Sequence, residues 1–419
     1  MVCLLACALI FAAAPALDEE IERATRLLER GALAEAKALL AELEALAPHD
    51  RQLRFLKAHV AMREGERERA IEIFRGLLAE DPSLIRVRLD LARTLYEKGE
   101  FEAATYHFEA ALGADIPGVV RRNVQAYLDR MRHAKTYVSL HVGAAHDSNP
   151  DQAPRTNTIY LFGLPFELGG GAQPKRSWAL VINAVGRLAL GADKRSYLLA
   201  ALDTREYSDA VLNYRVAQVG VGHSAPLEGW RLGAEGGWQI SHFQKRTLSE
   251  GPWARIYAWG KLGTNVLLSP SLQRRWNDYP TYGYLSGTQD NAALDATVAM
   301  SPSLAIVPGI GYGRTSAADP VYSFKSVELR FGVRTELPLG LILGARFASA
   351  ELKYDAEDLL FQASRRDRQR RVELEAGLRA LSFRGVAPVL FWSRIRNDSN
   401  IALYAWDRRL AGIGLTTRF

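Results

Sequence analysis

The sequence predicts an all-α helical repeat, tetratricopeptide-like, followed by an all-β transmembrane barrel of fourteen antiparallel strands. Three observations predict it. Glycine, alanine, a large apolar residue and proline recur at a 34-residue step through the first quarter of the chain. From Ala134 onward, apolar and polar positions alternate with the period of a strand. The links between those alternating runs are by turns short and long, as in a bacterial membrane barrel.

The leader comes first. An apolar run containing both cysteines, Cys3 and Cys7, ends in Ala14-Pro15-Ala16 before an acidic helix start. This has the form of a secretory signal over 1–16 with cleavage after Ala16, although a basic n-region is missing. It is too short to span a bilayer as a helix. Its removal would leave a chain without cysteine, excluding disulfides and thiolate metal sites.

The helical region is expected over 17–133. Gly31, Gly65 and Gly99 fall 34 apart, as do Ala36, Ala70 and Ala104, and Leu40, Phe74 and Phe108. Pro48 and Pro82 keep the step, and Pro117 comes one residue late. Each position has a mechanical purpose: glycine allows the turn between paired helices, alanine lets them approach, the larger residue fills the core, and proline stops the second helix. Three repeats cover 17–50, 51–84 and 85–118, and a capping helix is expected at Val119–His133. Arg54 and Arg88 stand where such repeats usually carry a large aromatic.

The barrel is expected over 134–419. Its first strand carries Val138, Leu140, Val142 and Ala144 on the outer face, and its second runs over about Trp178–Leu190. Further strands are expected near 195–207, 212–225, 229–243, 253–266, 269–277, 289–301, 303–315, 323–336, 340–354, 369–383, 386–397 and 406–419. Short links such as Pro226-Leu227-Glu228 and Leu268-Ser269 alternate with long ones near 147–176, 244–252, 278–288 and 355–368. An even strand number returns the chain to the side carrying the helices, where Phe419 would serve as the barrel-insertion signal. Trp230, Trp238, Trp253, Tyr257, Trp259, Tyr282, Tyr284 and Trp392 are expected at strand ends or on outward faces, where amphipathic rings favour the headgroup region. Glu328, Arg330, Arg334, Arg371, Glu373, Glu375, Arg379, Arg394, Arg396 and Arg418 are expected to line a wet lumen and pair across it.

Composition fits this reading. Hydrophobic residues make up 48% of 419 and mean hydropathy is -0.11, because alternating strands average out. The net charge of +6 arises from 53 basic and 47 acidic residues without a basic, aromatic-interleaved module, so nucleic acid is not expected as a partner. No catalytic, cofactor or metal constellation is expected. His146 and Asp147 are neighbours on a strand and point to opposite faces, and Gly169-Gly170-Gly171 lacks the following lysine of a phosphate loop.

Two segments narrow the reading. The first strand ends Gly143-Ala144-Ala145-His146-Asp147-Ser148-Asn149-Pro150, and Gly163-Leu164-Pro165-Phe166 follows in the next loop. The last hairpin reads Arg396-Asn397-Asp398-Ser399-Asn400-Ile401, then Tyr404 and Asp407-Arg408. With the repeat-then-barrel order, these resemble the family of surface lipoprotein assembly modulators, the outer-membrane component of type XI secretion. The resemblance implies a monomeric translocator rather than an enzyme. It would carry a lipoprotein or a soluble secreted protein to the cell surface of a Gram-negative bacterium, with its helices in the periplasm and its barrel in outer-membrane lipid after insertion by the barrel-assembly machinery. The motif positions would be Asp147, Ser148, Asn149, Asn397, Ser399, Asn400, Ile401, Tyr404, Asp407 and Arg408. Their short polar side chains suit two external turns, and gating or cargo contact is the other reading. Polysaccharide export and host interaction are the rival functions.

Overall fold

The computed structural model describes residues 17–114, 116–133, 136–191, 193–263, 265–301, 303–337, 340–383 and 385–417. The leader at 1–16, Arg418 and Phe419 lie outside the described residues.

Among the described residues seven helices come first: α1 over 17–30, α2 Leu33–Leu46, α3 Arg51–Glu64, α4 Arg67–Glu80, α5 Ile85–Lys98, α6 Phe101–Leu112 and α7 Gly118–His133. The 34-residue step is visible in the backbone. Gly31, Gly65 and Gly99 adopt φ of 79°, 81° and 89°, the left-handed conformation that ends a helix and that side chains resist. Ala36, Ala70 and Ala104 are each 0% exposed, and Leu40, Phe74 and Phe108 are buried beside them. Arg88, in place of an aromatic, is fully buried and donates from Nη2 to the Pro82 carbonyl at 2.6 Å. The helices through Ala111 form one compact unit, and the chain from Leu112, including α7, belongs with the barrel in a second.

The first barrel strand is β1 Tyr137–Asp147. The loop after it holds a small hairpin, β2 Thr158–Leu161 with β3 Leu164–Glu167, that the sequence pattern does not announce. Thirteen further strands close the barrel with β1: β4 Ser177–Leu190, β5 Ser196–Tyr207, β6 Tyr214–Leu227, β7 Trp230–Phe243, β8 Arg246–Leu262, β9 Val266–Asn277, β10 Gly287–Ser301, β11 Leu304–Ala317, β12 Phe324–Leu337, β13 Leu341–Asp358, β14 Ala363–Leu378, β15 Ala387–Ser399 and β16 Trp406–Thr416. Each pairs with its neighbours in sequence, and β1 closes the wall by pairing with both β4 and β16.

Alternation puts Leu198 and Leu202, Val327 and Leu329, and Ile413 and Leu415 outward, all 40% exposed or more, as an apolar belt for lipid. No helix among the described residues is long and apolar enough to cross a membrane. Several inward side chains are charged or aromatic and reach over neighbouring strands, where small residues leave room. Arg330 on β12 donates to Asp295 on β10 at 2.9 Å, spanning β11 at Gly309, where a Cβ would lie 2.2 Å from the Asp295 carboxylate. Tyr197 donates to Glu235 and meets Tyr257, both at 2.9 Å.

Five expectations are corrected. The expected loop at 244–252 is a two-residue turn, Gln244-Lys245, and β8 runs on from Arg246. β8 then ends at Leu262 and β9 begins at Val266, so Leu268-Ser269 lies inside β9 rather than in a link. The loop expected at 355–368 shrinks to 359–362, because charged residues on both strands continue the ladder, with Glu351 opposite Arg368 and Lys353 opposite Arg366. An apolar alternation cannot mark a strand that has left the bilayer. Trp253, expected at a strand end, is 3% exposed and packs inward over Gly220, which has no side chain to displace it, and Tyr257 on the same face turns inward to Tyr197. Arg394 and Arg396 face outward, in step with exposed Leu390, rather than into the lumen.

Candidate functional site at the barrel seam

Among the described residues, the ladder between β1 and β16 joins His141–Asp147 to Leu410–Thr416, and Thr417 extends it by donating its N–H to the Leu140 carbonyl at 2.9 Å. Gly143 pairs with Gly414 and Ala145 with Gly412, so two backbones approach closely and Phe391 lies over the gap they leave. A Cβ on Gly412 would stand 2.5 Å from the Ala144 carbonyl and 2.5 Å from the Phe391 ring.

The rim opposite the chain's entry into β1 is fastened by the residues of the two sequence motifs. Asp147 is the last residue of β1, points inward and is 0% exposed. Arg408 on β16 donates to both its oxygens, from Nε at 3.1 and 3.0 Å and again from Nη2, a planar fork against a carboxylate. Tyr207 at the end of β5 donates its hydroxyl to the same carboxylate at 2.8 Å and accepts from Arg408 at 2.9 Å. The Asn149 N–H donates to Asp147 at 3.1 Å. Asn149 itself is buried. Its Nδ2 donates to the carbonyls of Ala153 and Asp407, and its Oδ1 accepts the Ala153 N–H at 2.8 Å. Ser148 exchanges bonds with Arg409, donating from its N–H to the Arg409 carbonyl and accepting the Arg409 N–H at its hydroxyl. Asp407 points outward and takes the Nε of Arg394 at 3.1 Å.

The remaining motif residues form a second cluster where β14 and β15 end. Asn397 is 2% exposed and donates to Asp367 at 3.0 Å and to the Tyr404 carbonyl at 2.7 Å. Arg365 forks onto Asp367 and stacks 3.6 Å above the Tyr404 ring. Asn400 accepts the Arg366 N–H at 2.7 Å and donates to the Ser364 carbonyl, stitching the 400s turn to β14. Ser399 accepts the Ile401 N–H, and Ile401 is buried at 3% exposure.

Asp147, Ser148, Asn149, Asp407 and Arg408 therefore meet in one place. Asn397, Asn400 and Tyr404 form the adjoining one, and Ser399 and Ile401 shape its turn. Sequence reasoning missed Tyr207, Arg365 and Asp367. Tyr207 lies 60 residues from Asp147, and no local pattern marks it as a partner. The Arg365–Asp367 step resembles any charged strand end. Among the described residues, no group of histidine, cysteine and carboxylate could hold a metal ion.

A helical repeat joined to a closed fourteen-stranded barrel with an apolar outer belt defines an outer-membrane β-barrel protein with its helices in the periplasm. The profile of the family described as surface lipoprotein assembly modifier matches residues 202–419, and its N-terminal TPR repeats match 18–108. The chain belongs to this family. It is 23% identical to the surface lipoprotein assembly modifier of Pasteurella multocida over 85% of this chain and 74% of that one. It is 24% identical to surface lipoprotein assembly modifier 1 of Neisseria meningitidis over 86% and 74%. An anion-selective porin from Comamonas acidovorans superposes with a TM-score of 0.39 at 9% identity, covering 67% of this chain and 99% of the porin, a likeness too slight to add to the assignment.

Proposed function

We propose that this protein is a translocator that delivers protein cargo, a lipoprotein or a soluble secreted protein, from the periplasm to the cell surface. The related proteins carry surface lipoprotein assembly in their names. The observation that supports the reading most is where the motif residues sit. They are not spread along the lumen as a solute channel's selectivity residues would be. Asp147, Ser148, Asn149, Asp407 and Arg408 fasten the two ends of the β-sheet to one another at the outer rim, and the others fasten the adjoining ends of β14 and β15.

A helical-repeat surface suits capture of an extended segment. A seam that opens exposes unpaired N–H and C=O groups on β1 and β16, a template on which an emerging chain can form strands, as well as an exit into lipid. The buried carboxylate–guanidinium fork makes such opening conditional. It holds the rim closed at rest and yields as a unit, because separating the pair in place would leave each charge buried and uncompensated.

Deletion of 17–118 tests the capture half. The shortened barrel is expected to insert, shown by heat-modifiable gel migration, and to lose surface display of its cargo. Unchanged display would sink the proposal. The seam half is tested by a cysteine pair at Ala144 and Ile413, which are opposite one another on the outward face. The oxidised pair is expected to stop display and reductant to restore it.

A further inference from the structure

The outward face of β14–β16 carries a cluster that neither the barrel wall nor the seam latch explains. Counting in twos from exposed Leu374, Leu390 and Ile413 places Arg366, Arg368, Arg370, Arg394, Arg396 and Arg409 on the outer surface. The register gathers them. Arg394 stands opposite Arg409, and Arg370 opposite Arg396. Five of the six take part in ion pairs yet keep side-chain exposures from 37% to 61%. The carboxylates that pair with these guanidiniums are Asp398, Asp407 and Glu351, Asp398 is shared with Arg155, and Lys353 stands opposite Arg366, so positive charge is in excess. Like charges opposite one another in a ladder repel, so the arrangement calls for an anion from outside the chain.

The height of the cluster names the anion. Among the described residues, Ala411, Ile413 and Leu415 are the outward apolar residues of β16, and Arg409 follows directly. Trp392, level with Ala411, marks the interface there. Arg394 and Arg409, directly above that level, thus stand at the depth where outer-leaflet headgroups meet acyl chains, and Arg370 and Arg396, one step further out, reach the headgroups. An exposed arginine below that level would cost free energy that a phosphate drawn down to it removes. Arginine offers five N–H donors, and Asp407 engages the Nε and one Nη of Arg394, which leaves donors for a second anion.

We propose that the outer face of β14–β16 is a binding site for the phosphates of the phosphorylated glycolipid in the outer leaflet. The site backs onto the seam. Arg408 turns inward to Asp147 while its neighbour Arg409 turns outward to the cluster, so lipid bound there loads the same strand that the latch holds. The inference rests on the barrel's place in the outer membrane and not on the translocation reading.

The test uses the full-length protein purified in non-ionic detergent and incubated with bis-phosphorylated lipid A, with lipid phosphate per protein measured after gel filtration. Substitution R370Q/R396Q/R409Q is expected to lower retained lipid at least tenfold. R23Q/R26Q/R93Q, which removes the same charge from exposed helical arginines, is expected to leave retention unchanged. Equal retention by the first variant, or equal loss in the second, overturns the proposal. Displacement of the lipid by 10 mM inorganic phosphate would show a free-anion site, and equal retention of phosphatidylglycerol an unselective anionic surface. Either result overturns it. Should the triple variant lack heat-modifiable migration, R370Q and R409Q decide singly. Each is expected to lower retention two- to fivefold, and no loss in either refutes the site.

Discussion

Asp147→Ala removes the centre of the seam latch and leaves Arg408, whose side chain is 11% exposed, without its carboxylate. Breaking a buried ion pair by removing one partner costs about 3–5 kcal/mol, because the remaining charge stays desolvated. Tyr207 would lose its acceptor as well, and Asn149 the bond from its N–H. Thirteen of the fourteen strand interfaces are untouched, so the cost falls on local opening of the β1–β16 ladder rather than on the whole barrel. At 1.4 kcal/mol per tenfold, the opening equilibrium shifts by about two to three and a half powers of ten. Amide hydrogen exchange read by mass spectrometry measures it. Peptides covering 141–147 and 408–415 should exchange faster by that factor, while peptides from β7 and β8 should not change. Arg408→Met should accelerate the same peptides. The double variant should be less perturbed than the sum of the two, since an apolar pair can replace a buried ion pair at small cost. Wild-type exchange in Asp147→Ala, or additive single effects, would refute the latch.

Gly412→Val should prevent barrel closure, seen as loss of the heat-modifiable band, whereas Gly169→Ala in the loop after β3 should leave that band in place, because its φ of -62° suits alanine and a Cβ there meets nothing within 4 Å. Asn149→Ala should lower protection around Ser148 by about 1–3 kcal/mol, the cost of leaving its buried partners unsatisfied, with Asn149→Asp restoring only the accepting half. In the helical unit, Arg88→Ala should reduce the thermal stability followed by helical circular dichroism of the full chain, since it empties a fully buried site and orphans the Pro82 carbonyl. The Ser83 hydroxyl and N–H both donate to Asp81 and hold its carboxyl below the usual range. A depressed folded-state value stabilises above the unfolded one, near 3.8, and is lost as pH falls through the folded one. The melting difference between Ser83→Ala and the unaltered chain should therefore be present at neutral pH and vanish in strong acid.

Much of this molecule is legible in one dimension, for physical reasons. A helical repeat writes its turn, its close approach and its stop at a constant spacing, so the 34-residue step alone marks Gly31, Gly65 and Gly99 as three left-handed helix ends. A membrane strand must put an apolar residue at every second position, so each of the fourteen strands shows in the alternation, and within a few residues wherever lipid demands it. The errors at Arg246 and Asp358 lie where a strand continues in water and no apolar alternation marks it.

The sequence by itself determined the architecture, the membrane and the motif positions, because each is set by neighbours within a strand or a helical turn. It could not say that Asp147 and Arg408, 261 residues apart, share one carboxylate–guanidinium fork, or that Tyr207 completes it. Those facts depend on closure. Only when β1 pairs with β16 do the two ends of the sheet become adjacent, and only the register of that pairing decides which charges meet inside the barrel and which remain on its surface.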